Sequence, residues 1–257
     1  HWFLHQILTQ SFEDLSEGDA RDAALITAHG RMVGYLECLG IEDGILCHFE
    51  PDLIGTLPDA IRRYVFATQV DIEDVTGEID LVLVTGEGWA AATQMADGIH
   101  PHPTRSLGAP AGYLWTPREN AAQLTAALEE AGYERATEDR LEALRVANGA
   151  PRWGHEMHTG SLPQEAGIDA WAVHYNKGCY VGQEAMAKIH FRGKANRRLA
   201  RVELAGPAAA GSEIELAGAR VGKLTSAAGD KGLAIVRHDV PVGADVLIED
   251  VEARVLT

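Results

Sequence analysis

The sequence predicts an α+β protein that ends in a small all-β domain. Three observations carry this prediction. Residues before about 198 alternate between helix-period and strand-period segments, later residues fall into short β-like runs, and Gly206-Pro207 and Gly211 punctuate the join. At 257 residues the chain is long enough for one or two domains, and its texture divides it into residues 1–197 and 198–257. A chain of this size buries roughly 70% of its unfolded surface, so it needs no disulfide or metal staple.

Trp2 to Gln10 reads as a helix, with Trp2, Phe3, Leu4, Ile7 and Leu8 on a broad apolar side. No capping residue precedes it, so the chain is expected to start inside a helix, its N-terminal start truncated. Strand-like runs between Leu25 and Cys38 break at His29-Gly30-Arg31, and Tyr35–Leu39 and Ile45–Phe49 flank a turn at Asp43-Gly44, a hairpin signal. The spacing of Leu53, Leu57, Ile61, Tyr64 and Val65 predicts a helix from Pro51 to about Gln69, weakened by Gly55 and Pro58. Val70–Val75 and Ile79–Thr85 read as strands, Gly88–Ala96 as a short helix, His100-Pro101-His102-Pro103 as an exposed loop and Gly112–Trp115 as a strand. Pro117 opens a helix through Glu130, Glu138–Ala147 forms another, and residues 149–177 are mostly irregular. The β-like runs that follow are Leu199–Leu204, Glu213–Leu216, Val221–Ser226, Leu233–Arg237 and Asp245–Val255.

Composition excludes several function classes. Thirty-eight acids against 22 bases leave a net charge of −16, which repels nucleic acid, so no direct nucleic-acid partner is expected. No apolar run approaches the ~20 residues of a membrane-spanning helix, so no membrane partner is expected. Cys38, Cys47 and Cys179 make an odd set of three, too few for a disulfide framework or a four-cysteine metal site, and point to a reducing compartment, the cytoplasm. One stretch departs from the acidic balance: Lys188, Arg192, Lys194, Arg197, Arg198 and Arg201 lie within 14 residues without an acid. It reads either as a solvated face or as a local anion site. In the second case Arg192, beside Phe191 and Gly193, is the best candidate to grip a carboxylate.

His155-Glu156-Met157-His158 is one residue short of the H-E-x-x-H pattern that places two imidazoles on one helical face, and its flanking glycines oppose a continuous helix. No dinucleotide fingerprint, P-loop or nucleophile elbow is present. Cys38 and Cys47 fall opposite each other across the hairpin as small apolar side chains. The informative stretch is Lys177-Gly178-Cys179-Tyr180-Val181-Gly182-Gln183-Glu184. Gly178 and Gly182 imply tight turns around Cys179, and Glu184 falls in the first turn of the helix that follows. A helix start downstream and Lys177 two residues upstream both favour a thiolate, which makes Cys179 the candidate reactive thiol beside the plainer reading of a structural turn.

This octet resembles the signature of the YgfZ-type folate-binding proteins, relatives of the glycine cleavage T-protein (aminomethyltransferase) that are implicated in iron–sulfur cluster maintenance. The resemblance continues through Leu144–Gly149, Gly154–Glu156 and Leu162–Gly167, through Phe3–Gln10 and Ala23–Arg31, and through Val221–Ala227. It thus covers almost the whole chain; the octet is specific and the other stretches are short but correctly ordered. It implies a three-lobed T-protein-like fold around a central channel, completed by a small C-terminal β-barrel. It also implies a folate-binding protein that supports assembly or repair of iron–sulfur clusters in client enzymes. Cys179 would be the working residue, with Lys177 stabilising its thiolate, and Tyr180, Gln183, Arg192, Tyr113 and Arg31 would contribute to binding tetrahydrofolate or a derivative. The implied partners are folate and iron–sulfur client or assembly proteins. With one cysteine in the signature no permanently bound metal is expected. The alternative is a tetrahydrofolate-dependent aminomethyltransferase. Against it, the T-protein's acidic run corresponds to Gly30–Tyr35, which has no carboxylate, and its pterin-gripping glutamate corresponds to Pro110 in Ala109–Tyr113.

Overall fold

A computed structural model describes residues 1–66 and 69–257. The chain runs α1 (Trp2–Ile7), β1 (Ala20–Ile26), β2 (Met32–Ile41), β3 (Gly44–His48), α2 (Leu57–Arg62), β4 (Ile79–Thr85), β5 (His100–Pro103), β6 (Ala111–Pro117), α3 (Ala121–Glu130) and α4 (Glu138–Asn148). It continues through α5 (Pro163–Ala166), α6 (Asp169–Ala172), α7 (Gln183–Arg192), β7 (Arg197–Leu204), β8 (Glu213–Leu216), β9 (Ala219–Ala228), β10 (Lys231–Arg237), β11 (Asp245–Ile248) and β12 (Val251–Val255).

The architecture is α+β with three lobes. The first holds the antiparallel sheet β1-β2-β3, the second the antiparallel sheet β4-β6-β5, and the third a closed six-stranded barrel in the order β10-β7-β12-β11-β8-β9. Each lobe has its own apolar core. Phe12, Leu25, Ile26, Leu36 and Leu57 lie in the first, with Met157, Ile168 and Met186 from the later chain packed among them. Val84, Leu114, Leu124 and Leu128 form the second, and Val202, Ile214, Leu224, Val236 and Val255 the third. Closing the barrel removes free sheet edges. Its alternating burial, for example along β11 and β12, is why these strands are readable in the sequence.

β2 and β3 pair around the two-residue loop Glu42-Asp43, one position earlier than the predicted turn, and Cys38 faces Cys47 in register. Several elements differ from expectation. α1 ends at Ile7, because Leu8 turns to an extended conformation and bridges to Leu25. The helix expected over 51–69 is a 3₁₀ turn at Pro51–Leu53 and then α2; Gly55 and Pro58 interrupt it, and residues 67–68 lie outside the described part. Residues 70–75 form no strand. The His100–Pro103 loop is strand β5, which tolerates two prolines because it pairs only with β6 at the sheet edge. The helix expected to open at Pro117 begins only at Ala121, after β6 and a 3₁₀ turn at Arg118–Asn120. Between 149 and 177 the chain forms two short helices, α5 and α6.

Glycine is required where backbones meet. A Cβ on Gly112 in β6 would lie 2.1 Å from the Trp89 ring, so the second lobe could not close over that indole. α4 starts behind Thr137, whose hydroxyl accepts from the Arg140 N–H, and stops at Gly149 in the left-handed region.

Candidate functional site

A cavity of about 550 Å³ lies where the first two lobes meet α4 and the 151–171 segment. Tyr35, Phe49, Tyr113, Trp153 and Trp171 give it aromatic walls, and Glu37, His48 and Arg105 bring polar groups to them. The aromatic walls are themselves held in place. The Trp171 indole N–H donates to the Tyr35 hydroxyl at 3.4 Å, Tyr113 donates to Ser106 at 3.3 Å, and the His48 ring meets Tyr113 edge-on at 4.4 Å. Arg105 sits over Trp171 at 5.8 Å and lies 3.8 Å from Asp22, so much of its guanidinium stays free for an anion.

Carboxyl chemistry in this cavity comes from Glu37. Burial, followed by the neighbouring Asp22 charge, pushes its carboxyl up to about 8, and burial raises Asp22 to about 6. Burial holds His48 down at about 4 and His102 at about 3, so both rings are neutral at pH 7. Neither Glu37 nor His102 was among the candidate residues of the sequence, and His102 is fully buried rather than exposed in a loop. One signal was available for Glu37: a carboxylate inside the apolar run Tyr35–Leu39 of a strand whose other residues are mostly buried.

The cysteine loop is a separate place. Cys179 is exposed, three residues before Gly182, which starts α7. Gly182 has φ 84°, and a Cβ there would lie 2.4 Å from the Thr27 carbonyl oxygen, so the turn and the close approach both require glycine. Gly178 has neither a left-handed φ nor a neighbour within 4 Å, so that glycine is not needed sterically. Lys177 departs from its expected role. Its buried Nζ donates to the carbonyls of His5 and Leu8 (2.5 Å each) and Gln10 (2.8 Å), which leaves no N–H for the Cys179 thiolate. It staples the loop to the end of α1 and sits over the Tyr180 ring at 4.7 Å, and burial pulls it down to about 8. Gln183 likewise binds the loop, donating to the Lys177 carbonyl, while Tyr180 is buried with an unpartnered hydroxyl and Glu184 is exposed in the first turn of α7.

The remaining candidates lie elsewhere. Arg31 donates to the Gly160 carbonyl and lines a cavity of about 330 Å³ beside the barrel, together with Glu165 and Arg197. Arg192 is exposed at the last position of α7. Arg197, from the basic run, also lines the barrel-face groove that carries Arg220, Lys223 and Arg237. The His155–His158 stretch is a tight turn, and Glu156 is fully engaged by Arg145, Thr225 and Ser226. No helix among the described residues is long and apolar enough to cross a membrane.

Comparison with known proteins fits this architecture. Residues 196–257 match the family described as CAF17, C-terminal beta-barrel domain. A chloroplastic protein of Arabidopsis thaliana named as a transferase is 28% identical over 95% of this chain, which spans 64% of that relative's length. The tRNA-modifying protein YgfZ of Sodalis glossinidius is 42% identical over 29% of this chain and 24% of its own. The mitochondrial iron–sulfur cluster assembly factor IBA57 of Mus musculus is 32% identical over 38% of this chain and 30% of its own. The crystal structure of the glycine cleavage system aminomethyltransferase T from Bartonella henselae superposes with a TM-score of 0.81 over all of this chain and 80% of that one, at 16% identity, and so shares the fold. The chain thus resembles YgfZ and IBA57 over parts of its sequence and has the T-protein fold.

Proposed function

We propose that the protein binds tetrahydrofolate or a derivative in the central cavity and supports iron–sulfur cluster assembly or repair in client proteins through the exposed Cys179. The observation that carries this reading is the cavity itself. Its aromatic walls suit a flat ring system, and the carboxyl of Glu37 and the half-free Arg105 offer contacts for N–H groups and for an anionic tail. A bound reduced folate would supply ring nitrogens able to carry a one-carbon unit. The chain's own residues orient it: Tyr113 and Trp171 present ring faces, Glu37 accepts hydrogen bonds, and Arg105 pairs with carboxylate.

Cys179 is a lone exposed thiol on a loop fixed by Lys177 and Gly182. One thiol can hold iron or exchange with a partner's thiol only transiently, which suits a protein that serves clients rather than keeping a cluster. The names of the mouse and Sodalis relatives support the iron–sulfur reading and tie it to RNA modification. At a net charge of −16 any effect on RNA is assigned to a client enzyme. The odd cysteine count favours a reducing compartment, the cytoplasm.

The alternative, tetrahydrofolate-dependent aminomethyl transfer, draws support from one observation: Glu37 places a carboxyl in the cavity although the 30–35 segment has none. Turnover of a methylamine-bearing substrate with tetrahydrofolate would establish it. The test of the main reading is calorimetric titration with tetrahydrofolate of the wild type and Cys179→Ala, alongside restoration of a client iron–sulfur enzyme. Equal folate affinity with loss of restoration in the variant is expected. Absence of saturable binding overturns the folate assignment, and full restoration by Cys179→Ala overturns the thiol role.

A further inference from the structure

Behind the cavity wall lies a group of buried polar side chains that the fold leaves partly unpaired. Asp22 on β1 and Glu37 on β2 are cross-strand partners, 8% and 5% exposed. An oxygen of each lies within 4.8 Å of the other and of a ring nitrogen of the fully buried His102 on β5. Asp22 Oδ2 and His102 Nε2 have no hydrogen-bond partner. Of the three residues, Glu37 lines the cavity. Its Oε2 accepts from the Thr104 hydroxyl at 2.6 Å, whereas Oε1 has only His48 Nε2 at 3.8 Å.

Two kinds of occupant compete for such a place: a cation, or a ligand that brings hydrogen-bond donors. The Trp115 indole decides between them. Its N–H donates to His102 Nδ1 at 3.2 Å, so the neutral ring carries its proton on Nε2, where no acceptor of the chain meets it. A cation would need the Nε2 lone pair, which moves the proton to Nδ1 and sets it against the indole N–H. Two carboxyls this close and this buried do not both ionise, so the free protein keeps a proton between them.

We propose that Glu37, backed by Asp22 and His102, anchors the amidine-type edge (N–C–NH2) of the bound heterocycle. This deepens the folate reading above and rests on it. Oε1 and the second lone pair of Oε2 receive two N–H groups in a fork, while the aromatic walls hold the ring in plane. The anchored form is the carboxylate, so binding at neutral pH releases the shared proton to solvent; no other bond is made or broken. The charged and titratable groups around Glu37 are Asp22 from β1, Tyr35 from β2, His48 and Glu50 from β3 and its following loop, His102 and Arg105 from β5 and its loop, and Tyr113 from β6, with Glu142, Arg145 and Arg152 on the cavity wall beyond them. Among them the two imidazoles are neutral, and Arg105 draws the carboxyl downward.

The experiment is calorimetric titration of the full chain with tetrahydrofolate in phosphate and in Tris at pH 7, which reads proton release as a buffer-dependent enthalpy. The wild type should bind and release a proton. Glu37→Gln keeps the size of the side chain but not two acceptor oxygens; it should bind about tenfold more weakly or worse and release none. Asp22→Asn, which leaves Glu37 in place, should retain binding and move proton release to lower pH. Glu37→Gln within twofold of the wild type, or wild-type binding without proton release, overturns this assignment alone. Failure of the wild type to bind overturns the folate reading and this assignment together.

Discussion

Arg145 and Glu156 lie as deep as Asp22 and Glu37, yet the fold treats the two groups oppositely. At the junction of α4 with the barrel, Arg145 donates to Glu156 at 2.8 Å, to the Ala150 carbonyl at 2.7 Å and to Ser226 at 2.6 Å, with Glu142 forked onto its other edge. Glu156 in turn accepts from Thr225 and Ser226 at 2.7 Å and from the Arg152 backbone N–H at 3.0 Å. Every charge there is opposed and every strong donor used, and the network ties the 150s loop to the barrel. In the Asp22–Glu37–His102 group like charges adjoin, two buried atoms lack partners and the nearest cation, Arg105, is mostly exposed. Completeness marks the first group as structural. The incompleteness of the second, on the wall of a cavity, marks it as a place for something that is not part of the chain.

That difference predicts opposite signs on mutation. Arg145→Ala leaves Glu156 buried and uncompensated, and should destabilise the protein by about 3–5 kcal/mol in urea unfolding. A loss below about 1 kcal/mol would remove the structural reading of the junction. Glu37→Gln should do the reverse above neutrality. Glu37 is raised by folding from 4.5 to about 8, so its neutral form stabilises fully below 4.5 and that stability fades as pH rises towards 8. The variant should therefore match the wild type near pH 4.5 and exceed it by about 1–3 kcal/mol at pH 8. Denaturant midpoints across that range check it, and a variant less stable than the wild type at pH 8 would show that the group is as complete as the first.

Smaller effects sharpen the contrast at the cysteine loop. Lys177→Met removes three bonds to carbonyls and should cost about 1–3 kcal/mol while leaving the pH dependence of Cys179 alkylation unchanged, because the ammonium serves the α1 carbonyls. A shift of that profile would return Lys177 to the thiolate. Among the thiols, exposed Cys179 should alkylate first, part-buried Cys47 next and buried Cys38 last, read by mass spectrometry. Faster labelling of Cys47 would break the order.

How far these groups were legible in the sequence follows from their spacing. The barrel was readable because its strands alternate locally, and the Cys179 loop because Gly182 and the helix after it lie within a few residues. The cavity group was not. Asp22, Glu37 and His102 come from three strands, and no local pattern brings them together. Prolines on both sides of His102 read as a loop, since nothing in a sequence tells an edge strand from an exposed turn. Lys177 was assigned by proximity in the chain, whereas its partners are the carbonyls of His5, Leu8 and Gln10, more than 160 positions away. The Arg145–Glu156 network escaped for the same reason: its barrel members, Thr225 and Ser226, are about 70 positions from Glu156.

The central claim, that the unsatisfied group awaits a folate, is tested most directly by a crystal structure of the protein with tetrahydrofolate. The ring system should lie in the cavity bounded by Tyr113 and Trp171, its N–H edge within hydrogen-bond distance of Glu37. A folate bound in the basic groove of the barrel with the cavity vacant, or one in the cavity with its N–H edge turned away from Glu37, would contradict it.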